Sequence, residues 1–327
     1  MKIVIADPNL AVLRAELEAG FPDGTEVSWP DRLDTEALQA AVVDADVLVA
    51  SRCTAEMAAA AKALRLVHAP GAGVDGINVE ALPAGTIVAN TYHHEDSIAE
   101  YVVASAILLR RGFLAQDAAL RRDEWASPTY RPELDLGDTL RAATVGLIGF
   151  GHIGARTWAR LRAFGARGAA VTGSGRVDIA AHGLDWAGDI GRLGELLERS
   201  DLLVLSAPLT PASRGMIGAA ELARLPRGAV LINVGRGLLV EERALYQALR
   251  DGGLGGAGID VWYGYPAEGT SAAPSELPFR ELPNVLMTPH SSGLTRQTYA
   301  GRAVDITDNV RRLVAGEPLR NVVAVAA

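Results

Sequence analysis

The sequence is poor in cysteine and in aromatic residues, and it has no long run of apolar or of like-charged residues. Cys53 is the only cysteine among 327 residues, so no intramolecular disulfide can form. The net charge of -8 is spread without blocks of one sign, which gives no continuous positive face for nucleic acid or an anionic membrane. Apolar stretches such as 101–109 are far shorter than the roughly 20 residues of a membrane helix. The first residues read as a buried strand rather than a signal peptide, so we expect a protein of the reducing cytoplasm.

Short apolar runs rich in branched residues alternate with segments of helical periodicity, as in parallel strands joined by crossover helices. The length favours two domains, so the expected fold class is α/β with two doubly wound parallel sheets. A long helix at about 97–111 and an arm at 112–140 without a clear period separate the two series of strands, and an apolar tail at 322–325 could return to the first domain. The predicted strands are 2–6, 26–29, 46–50, 66–69 and 86–90 in the first series, and 144–149, 169–172, 202–206, 229–233, 256–261 and 285–288 in the second.

A glycine motif stands between the predicted strand at 144–149 and a helical pattern at 155–164. Its first glycine permits a tight turn, its second lets a pyrophosphate approach the backbone, and its third lets helix and strand pack closely. With 35 glycines in the chain, a ligand-free turn is the alternative, but the strand before and the helix after favour dinucleotide binding. The motif reads Gly149-Phe150-Gly151-His152-Ile153-Gly154.

The end of the next strand indicates which dinucleotide is bound. An acidic residue about 20 positions after the motif would receive the ribose hydroxyls of NAD. Thr172, Ser174 and Arg176 occupy this region instead, and two hydroxyls with a guanidinium suit a 2′-phosphate. We therefore expect NADP(H) as the preferred cofactor, with NAD(H) as the alternative if Arg176 is only a solvated loop charge.

Three polar residues follow the later predicted strands, where open α/β sheets bind ligands. Arg236 can hold a carboxylate through two hydrogen bonds and polarise a carbonyl, and His290 is suited to acid–base work near neutral pH. Asp260 lies on the strand between them. Taken singly, each has a plain structural explanation as a surface charge, a loop histidine or a cap.

Several segments in one order resemble the D-specific 2-hydroxyacid dehydrogenase family over nearly the whole chain. They are Gly71-Ala72-Gly73-Val74-Asp75, Ala99-Glu100, Pro208-Leu209-Thr210-Pro211 with Arg214-Gly215, and the segments that carry Arg236 and His290. The resemblance implies a flavodoxin-like substrate domain at 1–98 and 294–327 with a Rossmann domain inserted at 99–293. It also implies an active site in the cleft, closure that excludes water, and a homodimer through the nucleotide domain.

The resemblance assigns roles to individual residues. Arg236 would bind the carboxylate or carbonyl oxygen of the substrate, and His290 would exchange its hydroxyl proton. Asp260 would help hold the nicotinamide carboxamide. The substrate-binding residues expected are the backbone amides of Ala72, Gly73 and Val74, with His94. The cofactor-binding residues expected are Gly149, Gly151, His152, Ile153, Gly154, Thr172, Ser174, Arg176, Pro208 and Asp260.

The sequence departs from the family at the position that supports the histidine. Members usually carry a glutamate 29 residues after the arginine, where this chain has Tyr265. A tyrosine can orient an imidazole but cannot stabilise imidazolium by charge, so His290 is expected to stay neutral to lower pH than in relatives. Tyr265 is thus a third candidate catalytic residue, and Glu268 is the alternative support if its loop turns back.

Two readings of the polar cluster at 93–96 remain open. His93 and His94 with the following acids either receive an additional anionic group of the substrate or form a helix cap with solvated histidines. No metal site is expected, because adjacent side chains diverge and no third ligand matches. Formate dehydrogenases of the family also lack the glutamate, but they carry asparagine at position 94 and glutamine at position 265.

The sequence therefore predicts an NADP(H)-preferring enzyme that interconverts small 2-hydroxy acids and 2-oxo acids. One rival is a dehydrogenase of another small anion such as formate or phosphite. A second rival is a dinucleotide-binding regulator or corepressor on the same fold, in which the missing carboxylate marks lost catalysis.

Overall fold

The computed structural model describes residues 1–266 and 270–327 and divides the chain into two compact units. The first unit is Met1–His94 with Leu294–Ala327, and the second unit is Glu95–Gly293. The sequence predicts that the chain passes from the first domain to the second between residues 98 and 99. In the structure this boundary comes earlier, because the connecting helix begins at Glu95, in a charged turn that shows no apolar period.

The first unit is built on a six-stranded sheet. Its strands are β1 (Lys2–Ile5), β2 (Glu26–Ser28), β3 (Val47–Val49), β4 (Leu66–His68), β5 (Ile87–Ala89) and β13 (Val322–Val325), in the spatial order β13-β5-β4-β3-β1-β2. Its helices are α1 (Arg14–Gly20), α2 (Thr35–Ala41), α3 (Ala55–Ala60) and α11 (Arg296–Ala315), with 3₁₀ turns at Pro8–Leu13 and Val79–Ala81. The apolar tail does return to this unit, as β13, the antiparallel edge strand of an otherwise parallel sheet.

The second unit is built on a seven-stranded parallel sheet with the order β12-β11-β10-β9-β6-β7-β8. Its strands are β6 (Thr144–Ile148), β7 (Arg167–Val171), β8 (Trp186–Gly188), β9 (Leu202–Leu205), β10 (Val230–Asn233), β11 (Gly256–Ile259) and β12 (Val285–Met287). Its helices are α4 (Glu95–Arg110), α5 (Phe113–Leu120), α6 (His152–Ala163), α7 (Ile179–His182), α8 (Leu193–Glu198), α9 (Ala219–Leu222) and α10 (Glu242–Arg250), with 3₁₀ turns at Leu140–Ala142, Ile190–Arg192, Gly237–Leu239 and Phe279–Glu281.

The predicted fold class is confirmed, and the errors in detail have local causes. The central strands are buried on both faces because helices cover both sides of each sheet, and this explains their continuous apolar runs. The sequence missed β8, which has three residues and no branched side chain. It also missed α5 inside the predicted arm, because eight mostly apolar residues give no polar face to set a period.

Across residues 1–266 and 270–327, no helix is long and apolar enough to cross a membrane.

One buried histidine gives the first unit a pH-dependent stability. His68, at the end of β4, is fully buried; its Nε2 accepts from Asn309 Nδ2 at 3.0 Å and its Nδ1 donates to the Ala69 carbonyl at 3.1 Å. The contact at Nε2 requires the neutral ring, because a protonated Nε2 cannot accept a hydrogen bond. Burial lowers the pKa of His68 from 6.5 to about 4.

The unfolded chain binds a proton at this site as the pH falls below 6.5, whereas the folded chain does so only near pH 4. The stability contribution of neutral His68 is therefore complete above pH 6.5 and is lost as the pH falls toward 4. The unfolding free energy of the unaltered protein should fall between pH 7 and pH 4.5. In His68→Gln we expect this fall to be smaller by about 2.5 kcal/mol. Denaturant unfolding at the two pH values measures this; equal losses in both proteins would contradict it.

Candidate active site

The glycine motif connects β6 to α6 in a tight strand–turn–helix. Gly149 has φ 91°, in the left-handed region, and a Cβ there would lie 2.7 Å from the Ala207 amide nitrogen. A Cβ on Gly154 would lie 2.5 Å from the Gly149 carbonyl oxygen, whereas one on Gly151 would meet no atom within 4 Å. There is thus no space for a side chain where the helix and the strand pack. Space does remain at Gly151, at the N-terminus of a 12-residue helix, where a pyrophosphate would lie.

The remaining predicted residues of this motif occupy the first turn of α6. His152 is exposed, and Ile153 is partly buried and packs against the apolar cluster that includes Trp158. The arrangement therefore leaves the imidazole at the surface beside the open glycine and uses the isoleucine to anchor the helix.

The end of β7 forms a hydroxyl-lined turn. Thr172 Oγ1 accepts from the Gly175 amide at 2.9 Å, and Ser174 Oγ accepts from the Arg176 amide at 3.3 Å. Arg176 is exposed, and the next acid, Asp178, caps α7 by accepting from the Ala181 amide at 2.9 Å. The structure thus brings the three predicted residues into one turn and commits the nearest carboxylate to a helix cap.

Pro208 lies just beyond β9, in a turn closed by Ser213. The Ser213 hydroxyl donates to the Pro208 carbonyl at 2.9 Å and accepts from the Thr210 amide at 2.8 Å. The turn is fixed by its own hydrogen bonds and needs no ligand to hold its shape.

Arg236 follows β10 in a loop whose backbone is hydrogen-bonded to the Asn233 side chain. The buried Asn233 amide donates to the Arg236 carbonyl at 2.9 Å and accepts from the Gly235 amide at 3.1 Å. Arg236 Nη1 donates to the Gly235 carbonyl at 2.9 Å. A Cβ on Gly237 would lie 2.4 Å from the Trp262 carbonyl oxygen, so glycine here lets the arginine loop pack on the chain beyond β11.

Asp260, just after β11, organises the segment that carries His290. Its buried carboxylate accepts from Thr288 Oγ1 at 2.6 Å, from the Ser291 amide at 2.9 Å, and from the amide at 3.1 Å and the hydroxyl of Ser292. Oδ1 therefore binds the chain on both sides of the histidine, and Oδ2 binds Ser292 after it. From the sequence, the role predicted for Asp260 is a contact with the nicotinamide. Its role in fixing the loop that carries His290 was not predicted.

His290 has φ 57°, a conformation that is uncommon for a residue with a Cβ and that the surrounding hydrogen bonds must hold. Burial by the surrounding protein lowers the pKa of His290; the charge of Arg236 also lowers this pKa, and the charge of Asp260 raises it. The net direction is below 6.5, so the imidazole is neutral at neutral pH.

Tyr265 lies beside this histidine. Its ring centroid is 5.8 Å from that of His290, with the planes tilted by 53°, and its hydroxyl oxygen accepts from the Trp262 amide at 3.0 Å. Burial raises the pKa of the Tyr265 phenol, which keeps it protonated. Tyr265 thus packs beside His290 as a neutral group, and Glu268, the alternative support, lies outside the described residues.

The first unit holds the remaining predicted residues at the carboxyl ends of β4 and β5. The loop with Ala72, Gly73 and Val74 is anchored through its carbonyl groups: Asn90 Nδ2 donates to the Ala72 carbonyl at 2.8 Å, and the Ile77 amide donates to that of Val74 at 3.0 Å. Asn90 is buried, and its other amide atom, Oδ1, has no hydrogen-bond partner among the described residues.

The two histidines after β5 contact α11. His93, with φ 68°, bonds Asp305 through Nε2 at 2.9 Å, whereas His94 is buried and contacts Arg302 at 3.3 Å. The reading of two solvated histidines is therefore wrong for His94. Where the structure is described, no three His, Cys, Asp or Glu side chains are placed to hold a metal ion.

Sequence reasoning gave no role to several residues that shape the site. Asn233 was visible as a polar residue that ends an apolar strand. On α11, polar residues recur at helical spacing, and that spacing is the signal that the sequence offered. These residues are Thr298, Arg302, Asp305 and Asn309.

Comparisons with known proteins identify the family and the fold. The sequence profile of the D-isomer specific 2-hydroxyacid dehydrogenase, NAD binding domain, matches residues 103–292. A D-3-phosphoglycerate dehydrogenase of Mycobacterium bovis is 32% identical over 96% of this chain and 57% of its own length, so this chain spans little more than half of that relative.

Shorter relatives match more evenly. A glyoxylate reductase of Korarchaeum cryptofilum is 32% identical over 86% of this chain and 83% of its own. The crystal structure of the TT0316 protein of Thermus thermophilus superimposes with a TM-score of 0.79 at 29% identity, covering 99% of this chain and 100% of that one. The chain belongs to the D-isomer specific 2-hydroxyacid dehydrogenase family, and residues 103–292 are its NAD-binding domain.

Proposed function

We propose that this chain transfers a hydride between a nicotinamide dinucleotide and a small 2-hydroxy acid or 2-oxo acid. The observation that carries the proposal is the buried Asp260 network, which fixes the backbone on both sides of His290 at the sheet edge where Arg236 also lies. An arginine and a titratable histidine held together are the groups that this chemistry needs.

The chemistry divides between the cofactor and the side chains. When bound at the glycine motif, the dinucleotide would supply or accept the hydride at the substrate carbon. Arg236 binds the carboxylate or the carbonyl oxygen and stabilises the negative charge that grows on that oxygen during reduction. Protonated His290 gives its proton to the oxygen and becomes neutral; in oxidation, neutral His290 takes the hydroxyl proton.

The first unit would supply the other substrate contacts. The amides of Ala72, Gly73 and Val74 would bind the substrate carboxylate, and His94 would bind a further substrate oxygen. The anchoring of this loop through its carbonyl groups supports that role. Asp260 would hold the nicotinamide carboxamide in addition to the loop it organises.

The test is turnover across 2-oxo acids with NADPH and NADH at several pH values, together with formate and phosphite in the oxidative direction. We expect reduction of at least one 2-oxo acid, faster as the pH falls toward the lowered pKa of His290, because only imidazolium donates the proton. His290→Ala should lose about 10²- to 10⁴-fold in kcat, the usual share of acid–base catalysis.

Two other outcomes would contradict the proposal. Turnover of formate or phosphite alone would make the chain a dehydrogenase of that anion. Binding of the dinucleotide without turnover of any compound would make it a regulator on the same fold.

We further propose NADP(H) as the preferred cofactor, with NAD(H) as the alternative. The hydroxyl-lined turn at Thr172 and Ser174, with Arg176 at its end, supports a 2′-phosphate site. Arg176→Ala should raise the KM for NADPH roughly 10- to 100-fold, the value of a charge-assisted hydrogen bond, and leave that for NADH nearly unchanged. Equal effects on both cofactors would show that Arg176 does not contact the phosphate.

We also propose a homodimer through the second unit. The arm at 112–140 exposes large apolar side chains, with Leu136 at 85%, Tyr130 at 63% and Trp125 at 61% exposure, and such surface is typical of interfaces. Sedimentation equilibrium should give twice the chain mass of 34.3 kDa, and Leu136→Asp should shift the mass toward the monomer. A monomeric mass for the unaltered protein would contradict the proposal.

A further inference from the structure

The contact between Arg302 and His94 determines which nitrogen of the histidine carries a proton. Arg302 Nη2 lies 3.3 Å from His94 Nδ1, and both side chains are 8% exposed. A guanidinium has five N–H donors and no acceptor, so Nδ1 must receive the hydrogen bond with its lone pair. In a neutral ring the proton is then on Nε2, which makes that nitrogen a donor.

Other contacts hold Arg302 in place. Its Nε donates to the Tyr92 carbonyl at 3.2 Å, and its guanidinium carbon lies 5.0 Å from the centre of the Tyr299 ring. A Cβ on Gly71 would lie 3.7 Å from Nη2, so the guanidinium packs beside the loop that is proposed to bind carboxylate. Burial raises the pKa of the Asp7 carboxyl, and the charge of Arg302 opposes this rise.

The helix that carries Arg302 is tied to the same segment at two further points. Thr298 Oγ1 donates to the His93 carbonyl at 3.1 Å, one turn before Arg302. Asp305, one turn after it, accepts from Thr91 Oγ1 at 2.5 Å and from His93 Nε2 at 2.9 Å. With both neighbouring turns fixed, the Arg302 side chain meets His94 from a set direction.

We propose that Arg302 is a positioning residue that holds His94 as the Nε2–H tautomer, so that His94 offers a hydrogen-bond donor to an oxygen atom of the substrate. This rests on the proposed function, in which His94 contacts the substrate. His94 then acts together with the amides of Ala72, Gly73 and Val74, which are also donors. The substrate class is one that presents acceptor oxygens to this unit, namely carboxylate with a second oxygen-bearing group.

The tautomer is measured directly by nitrogen NMR of the full chain labelled with ¹⁵N-histidine. The chain has six histidines, and His94→Gln identifies the resonances of residue 94. In the unaltered protein we expect Nδ1 without a proton and Nε2 with one, above the pH at which the ring becomes charged. Arg302→Met should give a mixture of tautomers, and Arg311→Met, an exposed arginine of the same helix, should leave the tautomer unchanged.

A proton on Nδ1 in the unaltered protein would overturn the inference, and that result does not depend on any variant folding. An unchanged tautomer in Arg302→Met would also overturn it. Neither measurement requires turnover, so the inference can fail while the proposed function stands, and the reverse also holds.

A double-mutant cycle tests the consequence for the substrate. Arg302→Met should raise the KM for the best 2-oxo acid roughly 3- to 10-fold, the value of one hydrogen bond, with a smaller change in kcat. In a His94→Ala background the same substitution should have no further effect, because Arg302 acts through His94. Multiplicative effects of the two substitutions would show a general structural role for Arg302 and would contradict the proposal.

Discussion

The hydrogen bonds to the Asp260 carboxylate fix the loop of the second unit that carries His290. A buried carboxylate is costly unless donors satisfy it, and here the donors come from Thr288, Ser291 and Ser292, on both sides of His290. The same contacts hold His290 in a left-handed backbone conformation that it would not keep alone. If the carboxylate were lost, the loop would lose its anchor and the histidine its defined position.

The charge of Asp260 also bears on the chemistry. Tyr265, whose ring lies beside His290, is a neutral phenol whose oxygen accepts from the Trp262 amide. Among the named influences on His290, Asp260 alone raises its pKa, against burial and the charge of Arg236. The balance leaves the imidazole neutral at neutral pH, a state that can accept a proton from a hydroxy acid and gives one to an oxo acid only at lower pH.

Short sequence patterns were enough to predict those parts of the fold and of the candidate site that depend on residues close together in the sequence. The glycine motif, Arg236, Asp260 and His290 each follow a strand of the second sheet, and parallel strands bring their carboxyl ends to one edge of a sheet. Arg302 and Asp305 were not predicted, because they lie on α11 about 200 residues from the loop they contact, and only tertiary packing joins them. The same holds for Asn309, whose amide meets the buried His68.

The electrostatic environment of His290 is measured directly by a histidine NMR titration of the unaltered chain and of Asp260→Asn. We predict a His290 pKa below 6.5 in the unaltered protein and a still lower value in Asp260→Asn, because that substitution removes the one influence that raises it. A His290 pKa at or above 6.5, or one that Asp260→Asn leaves unchanged or raises, would contradict the account.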